Sequence, residues 1–99
     1  MMTNISKHGA MRMRQRMGIP KKATQRIAER AFERGLKRED AKGAVRKWMN
    51  DSFYAYGTGD NMRMYGDKLY IFCDNTLVTV LQVPTEIKDK AQILKKKVS

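Results

Sequence analysis

Residues 62–83, MRMYGDKLYIFCDNTLVTVLQV, decide the fold, because apolar runs in this stretch are separated by gaps of only two residues. The gaps are Gly66-Asp67 and Asp74-Asn75, and residues of these types favour tight turns between antiparallel strands. The runs are predicted as strands over residues 62–65, 68–73 and 76–83. The third run is rich in β-branched residues and ends before Pro84, so it should lie well inside the sheet. The stretch therefore predicts an antiparallel meander.

The residues before this stretch repeat with the 3.6-residue period of helices, and three helices are predicted there. Ser6 and Gly18 have the residue types that begin and end a helix, and they bound the first one. Pro20 and Gly35 bound the second in the same way. The third is predicted over residues 39–56. These elements give an α+β fold class, with about three N-terminal helices packed on one face of a three-stranded or four-stranded antiparallel meander sheet.

The length of 99 residues leaves room for one domain and not for two, since a domain usually has about 100 residues or more. Residues 1–87 are predicted to form this single α+β domain. Residues 88–99 contain the run Lys95-Lys96-Lys97 and are predicted as a basic C-terminal tail that is partly ordered.

The single cysteine and the single histidine exclude several kinds of site. Cys73 has no second cysteine with which to pair, and His8 alone cannot complete a Cys2His2 site or a two-histidine zinc site. The phosphate-binding patterns GxxxxGK[ST] and GxGxxG do not occur. We therefore expect no metal and no cofactor. Neither a run of about 18 apolar residues nor a signal peptide is found, which predicts a cytoplasmic protein without a membrane partner.

The net charge of +11 is concentrated in the helical half of the chain. Residues 1–50 hold 14 Lys and Arg against 4 Asp and Glu, whereas residues 51–87 hold 2 against 5 and residues 88–99 hold 5 against 1. A basic helical half beside a slightly acidic body gives a directed positive field. The pattern favours RNA or another polyanion as partner, because the guanidinium groups of the arginine-rich helices bind phosphate through paired hydrogen bonds.

The residues predicted to bind nucleic acid lie on the first two helices. They are Lys7, Arg14, Lys21, Lys22, Arg26 and Arg30. An alternative explanation of these charges is a solvated helix surface on which Glu29 and Glu33 pair with the neighbouring arginines. Both explanations stay open at the level of the sequence.

His8, Arg12 and Arg16 recur at intervals of four residues, so that they lie on one face of the first helix. Cleavage of RNA without metal requires groups that move protons and groups that stabilise the charge of the phosphorane. A histidine can do the first near neutral pH, and arginines can do the second. The three residues are therefore candidate catalytic residues, with passive contact to phosphate as the alternative.

Thr79 is a fourth candidate catalytic residue, because a hydroxyl in the middle of an apolar strand must find a hydrogen bond or face a cleft. Strict alternation places Thr79 on one face of the third strand together with Leu77 and Leu81. Val78 and Val80 are then on the other face. The alternative explanation of Thr79 is the ordinary preference of threonine for strands.

The order of these features resembles the barnase–EndoU–colicin–RelE superfamily. One part of the resemblance is the pattern xKHxxxRxxxR of small bacterial and phage proteins, formed here by Lys7, His8, Arg12 and Arg16. The other part is the late strand that contains Thr79. The resemblance implies helices on one face of an antiparallel sheet and an RNA site made of His8, Arg12, Arg16 and Thr79. It also implies a metal-independent ribonuclease or toxin, with an acidic antitoxin or immunity protein as partner.

Two functions follow from these observations. The first is an RNA-binding protein that acts as a metal-independent endoribonuclease of the RelE or colicin type. The second is a non-catalytic phage or mobile-element protein that docks on a ribonucleoprotein or inhibits a nucleic-acid enzyme. The strand region carries only Arg63 and Lys68 as basic residues, fewer than RelE-like toxins usually place there, and this favours binding over cleavage.

Overall fold

The computed structural model describes residues 4–18, 20–56 and 61–98. Within them the chain forms four helices, which are α1 (Lys7–Met17), α2 (Lys21–Arg34), α3 (Gly43–Tyr56) and α4 (Thr85–Val98). The same residues form five strands, which are β1 (Asn4–Ile5), β2 (Leu36–Lys37), β3 (Asn61–Tyr65), β4 (Lys68–Cys73) and β5 (Thr76–Gln82). A 3-10 turn at Arg38–Asp40 follows β2. These elements confirm the α+β fold class.

The five strands form one mixed sheet with the order β1-β5-β4-β3-β2. The strands β3, β4 and β5 are the predicted antiparallel meander, and their tight turns contain positive φ angles of 62° at Gly66 and 54° at Asp74. β2 pairs antiparallel with β3 at one edge, and β1 pairs parallel with β5 at the other. The prediction of three or four strands, all antiparallel, is therefore wrong. Both edge strands contain only two residues, which is too short for a periodic pattern.

Helices cover both faces of the sheet, whereas the sequence predicted helices on one face. α1 and α2 pack over Tyr70 and Phe72 of β4, and α3 and α4 pack on the opposite face over Leu69 and Ile71. All four of these side chains are almost completely buried. The physical reason is that β4 is apolar on both of its faces, so that a single helical layer would leave one face in water.

A β-bulge in β5 changes which side chains face each helical layer. Ile71 pairs with Thr79, but Phe72 pairs with Leu77, so that Val78 is an extra residue opposite β4. Directly paired side chains share a face of the sheet. Leu77 therefore faces α1 and α2, and Thr79 faces α3 and α4. The predicted alternation, with Leu77 and Thr79 on the same face, is wrong because the bulge inserts one residue between them.

The first predicted helix is confirmed by α1, and the second by α2. The Ser6 hydroxyl accepts a hydrogen bond from the Gly9 amide over 2.9 Å, and Gly18 ends α1 with a left-handed φ of 61°. Gly9 also lies directly against β5, where a Cβ at this position would overlap the carbonyl oxygen of Leu77. The absence of a side chain at Gly9 therefore lets α1 lie close to the sheet.

The third helix and the C-terminal segment differ from the sequence prediction. α3 begins at Gly43 rather than at residue 39, because Gly43 has a φ of 60° that the interior of a right-handed helix does not allow. Residues 88–98 belong to α4 rather than to a partly ordered tail. Ala91 is buried and Ile87 packs against the core on the α3 side of the sheet, which explains why this basic segment is helical.

Candidate nucleic-acid interface

Helix α1 presents basic side chains on both flanks of its buried face. Gly9 and Met13 are buried towards the sheet, and successive residues of a helix are rotated by about 100° around its axis. The first flank carries His8, Arg12 and Arg16, and the second flank carries Lys7 and Arg14. The spacing of four residues therefore aligns His8, Arg12 and Arg16 as the sequence predicted.

His8 and Arg12 are joined by a hydrogen bond, in which the Nε–H of Arg12 donates to Nε2 of His8 over 3.3 Å. A neutral imidazole that accepts at Nε2 carries its proton on Nδ1, and this N–H remains as a donor for a ligand. His8 is exposed, Arg12 is half-buried, and Arg16 is exposed one turn further along the helix. The structure thus brings three of the four candidate catalytic residues together on an accessible surface.

The fourth candidate, Thr79, does not lie with them. Its side chain faces α3 and α4, and the residue is only 6% exposed. α1 lies on the opposite face of the sheet. Because the sheet separates the Thr79 hydroxyl from His8, one RNA phosphate cannot contact both groups.

Neighbouring carboxylates do not neutralise the cations of α1. The helix contains four Lys and Arg residues and no Asp or Glu. Within the described part of the chain, ion pairs join Lys68 to Asp67 and Lys90 to Glu86, and both pairs lie outside α1 and α2. Unpaired cations that lie close together create a positive potential that attracts a polyanion.

α2 adds further exposed arginines to the same layer. Arg26 and Arg30 are both exposed. Glu29, which lies between them, accepts a hydrogen bond from Nε2 of Gln25 over 3.0 Å. No ion pair between Glu29 or Glu33 and the arginines of α2 is found among the residues that the structure describes. The alternative of a surface neutralised by such pairs is therefore not supported.

The two helical layers differ in net charge. By sequence, α1 and α2 together hold nine Lys and Arg against two carboxylates, which gives +7. α3 and α4 hold seven against three, which gives +4. Lys21 and Lys22 contribute to the first sum, but the side chains of these two predicted binding residues lie outside the described residues. The positive field is thus strongest over the α1–α2 layer.

An open groove of about 680 Å³ runs along the second flank of α1. Its walls are formed by Ile5, Ser6, Lys7, Ala10, Met11, Arg14 and Gln15. Met11 is 47% exposed, although large apolar side chains are usually buried. Sequence reasoning missed this groove. Met11 could have indicated the groove, because this large apolar residue lies about 160° around the helix from the buried Met13 and therefore outside the core.

Tyr70 belongs to the core below α1 rather than to the interface. Its ring is almost completely buried, and its hydroxyl donates a hydrogen bond to the sulfur of Met17 over 3.6 Å. Burial raises the pKa of the Tyr70 hydroxyl far above its ordinary value, with a smaller contribution from the charge of Asp67. The hydroxyl therefore keeps its proton at neutral pH and serves packing.

The described residues give no structural support for metal ligation or for membrane insertion. Among the described residues, no three His, Cys, Asp or Glu side chains are grouped so that they could hold a metal ion. The helices in the same residues are too short or too polar to cross a membrane.

Comparison of the chain with models of protein families, with curated proteins and with solved structures gives no match. The resemblance to the barnase–EndoU–colicin–RelE superfamily therefore stays a prediction.

Proposed function

We propose that this protein binds single-stranded RNA along the α1–α2 layer. The observation that carries the proposal is the group of basic side chains on α1, which have no carboxylate partner among the described residues. Contacts between basic side chains and phosphates supply most of the affinity that does not depend on nucleotide sequence. Arg12 and Arg16 bind the phosphate oxygens, and His8 donates from Nδ1.

The groove on the second flank of α1 explains the preference for a single strand. Lys7 and Arg14 hold the phosphates at its rim, while Ile5 and Met11 offer an apolar surface to an unstacked base. A base within a duplex is stacked between its neighbours and paired to the other strand. Entry of such a base into the groove would cost the free energy of unstacking and unpairing.

Binding without cleavage is the activity that the geometry supports best. Efficient cleavage uses one group to remove the proton of the 2′-hydroxyl and another to protonate the leaving oxygen. In a single step, His8 can fill one of these two roles but not both. Thr79, the other side chain that the sequence suggested for chemistry, lies on the far side of the sheet.

A metal-independent endoribonuclease is a second candidate function, and the His8–Arg12 hydrogen bond favours it. This bond holds the imidazole in one orientation, with the guanidinium of Arg12 directly beside it. When Arg12 turns to a phosphate, Nε2 of His8 becomes free to accept a proton. An acidic antitoxin or immunity protein would then be the partner that covers these cations.

The binding proposal is tested by measuring the affinity for a fluorescent single-stranded RNA. The double variant Arg12→Glu/Arg16→Glu should bind at least roughly 100-fold more weakly, since each of the two charge-assisted hydrogen bonds contributes about 1.5–3 kcal/mol. The control Lys47→Glu/Lys90→Glu makes the same charge change on the α3–α4 layer and should retain most of the affinity. Equal losses in the two variants would show an effect of net charge alone and would contradict the interface.

The role of the groove is tested with Met11→Gln. Loss of one base contact should weaken binding of the single strand by about tenfold, because stacking or packing of a base contributes about 1–3 kcal/mol. Binding of duplex RNA should not change. If both forms of RNA lose the same affinity, the groove does not select single strands.

The second candidate is tested by incubating the purified protein with RNA in the presence of EDTA. Cleavage that is lost in His8→Ala would support a metal-independent endoribonuclease. Intact RNA, or cleavage that His8→Ala leaves unchanged, would exclude it.

A further inference from the structure

A second basic site lies at the edge of the sheet opposite to β1. β2 covers Arg63 and Met64 of β3 but not Asn61 and Met62, and a pocket of about 160 Å³ opens where β2 ends. Its lining comprises Lys37, Arg38, Glu39, Arg46, Asn61, Met62 and Arg63. The pocket has no lining residue in common with the interface on α1.

Arg63 forms the buried side of this pocket, and the residue is only 8% exposed. Its Nε–H donates to the carbonyl oxygen of Phe32 over 3.1 Å, and one Nη donates to the carbonyl oxygen of Met62 over 3.0 Å. The guanidinium carbon is 5.0 Å from the centre of the Phe32 ring. A guanidinium group has five N–H donors, so these two bonds leave further donors for a ligand in the pocket.

Most of the residues that line the pocket are cations. Lys37 and Arg63 are directly paired across β2 and β3, where like charges destabilise a sheet. Arg38 and Arg46 add two more positive charges, and Glu39 is the carboxylate of the lining. Four cations against one carboxylate give the lining a net charge of +3, and the nearby carboxylate of Asp40 reduces the local charge to +2, which a bound anion would offset.

The surroundings of Arg63 disfavour its charged form, and the cause is burial. Burial lowers the pKa of the Arg63 guanidinium. The nearby carboxylates of Glu39 and Asp40 act in the opposite direction without cancelling the effect of burial. An anion that accepts hydrogen bonds from the remaining donors would stabilise the charged guanidinium.

We propose that this pocket binds a phosphate group, with Arg63 donating from the buried side and Lys37 and Arg46 from the mouth. Basic side chains from β2, β3 and α3 line the same pocket at the edge of the sheet, and donors from different elements suit a tetrahedral oxyanion, whose oxygens point in different directions. A volume of about 160 Å³ has room for a small polar group such as a phosphate. The pocket therefore holds a phosphate group and little of the molecule attached to it.

Calorimetric titration of inorganic phosphate into the intact protein, at constant ionic strength, tests the proposal. Arg46→Gln should weaken phosphate binding by at least about tenfold through the loss of one charge-assisted hydrogen bond. Lys47→Gln removes the adjacent exposed cation of α3, which does not line the pocket, and should leave the affinity unchanged. The backbone amide NMR signals of residues 37–39 and 61–63 should shift during the titration.

Three results would overturn the phosphate site. The first is a lack of saturable binding, and the second is equal weakening by Arg46→Gln and Lys47→Gln. The third is loss of phosphate binding in Arg12→Gln/Arg16→Gln, because the anion would then be bound on α1. Since this titration contains no RNA, failure of the pocket can be told apart from failure of the RNA interface.

Two RNA oligonucleotides that differ only at the 5′ end identify the source of the phosphate. If the pocket takes a terminal phosphate, the 5′-phosphorylated strand binds more tightly than its 5′-hydroxyl counterpart, and Arg46→Gln removes the difference. If the pocket takes free phosphate, the two strands bind equally and inorganic phosphate still saturates the protein. Either result supports a phosphate site.

Discussion

At the scale of single residues, Gly9 sets the distance between α1 and β5. Its amide donates to the Ser6 hydroxyl that caps the helix, and its Cα faces the backbone of Leu77. His8 and Arg12 extend from one flank of the same helix. The orientation of the proposed RNA-binding side chains therefore depends on a residue that has no side chain.

Gly9→Ala should destabilise the protein by about 1–3 kcal/mol, because the added methyl group would overlap the carbonyl group of Leu77. Alanine favours helices over glycine by about 1 kcal/mol, so helix propensity alone predicts the opposite sign. Urea unfolding measures the difference. Gln15→Ala, at an exposed position of α1, is the control and should not destabilise. A Gly9→Ala variant as stable as wild type would contradict the close approach of α1 to β5.

Asp67 contributes stability that depends on pH. The Lys68 ammonium, which is largely buried, donates to Asp67 over 3.1 Å and to Gln82 over 2.6 Å. The hydrogen bond from Lys68 holds the pKa of the Asp67 carboxyl below its ordinary value of 3.8. The stabilisation is therefore complete above the ordinary pKa and is lost as the pH falls through the lowered one.

Asp67→Asn should lower the free energy of unfolding at pH 7 by less than about 1 kcal/mol, because half of the Asp67 side chain is exposed to solvent. The difference from wild type should disappear in acid, where the wild-type carboxyl is also neutral. Urea unfolding at pH 7 and in acid measures both values. A difference that stays constant with pH would show that the Asp67 charge does not stabilise the fold.

The candidate residues themselves show how far the sequence could predict the site. His8, Arg12 and Arg16 were aligned correctly, because a spacing of four residues keeps side chains on one face of any helix. Thr79 was placed incorrectly with respect to the helices, because one extra residue at Val78 reverses the faces of a strand. A bulge depends on pairing with a second strand, and the local sequence of β5 does not reveal it.

At the scale of elements, the hairpins could be predicted from the sequence, whereas the two edge strands could not. The hairpins of β3, β4 and β5 follow from turn residues and apolar runs, which are local features. The covering of both faces was also encoded in β4, whose run from Leu69 to Phe72 is continuously apolar rather than alternating. β1 and β2 could not be predicted, because two-residue strands exist only through pairing with their neighbours.

α4 is the element whose role is tested most simply by substitution. Ala91→Asp places a charge at the buried position of this helix and should lower the free energy of unfolding by more than about 2 kcal/mol. Gln92→Asp introduces the same charge at the adjacent exposed position and serves as the control. Equal stabilities of the two variants would show that α4 does not pack against the sheet.

At the scale of the whole molecule, the sheet separates two surfaces of different charge. The α1–α2 layer combines a higher net charge with arginines that form no ion pair in the described residues. The charge bias of the first fifty residues was readable from the sequence. Its concentration on the α1–α2 layer was not readable, because the sequence did not show that α3 packs on the other side of the sheet.

The salt dependence of RNA binding tests the central claim most directly. Contacts from Lys7, Arg12, Arg14, Arg16, Arg26 and Arg30 to a single strand predict that a plot of log affinity against log salt has a slope of about −4. Arg12→Glu/Arg16→Glu should reduce the magnitude of the slope by about 1.4, whereas Lys47→Glu/Lys90→Glu should leave it unchanged. A slope near zero, or the same reduction in both variants, would contradict an RNA interface on α1 and α2.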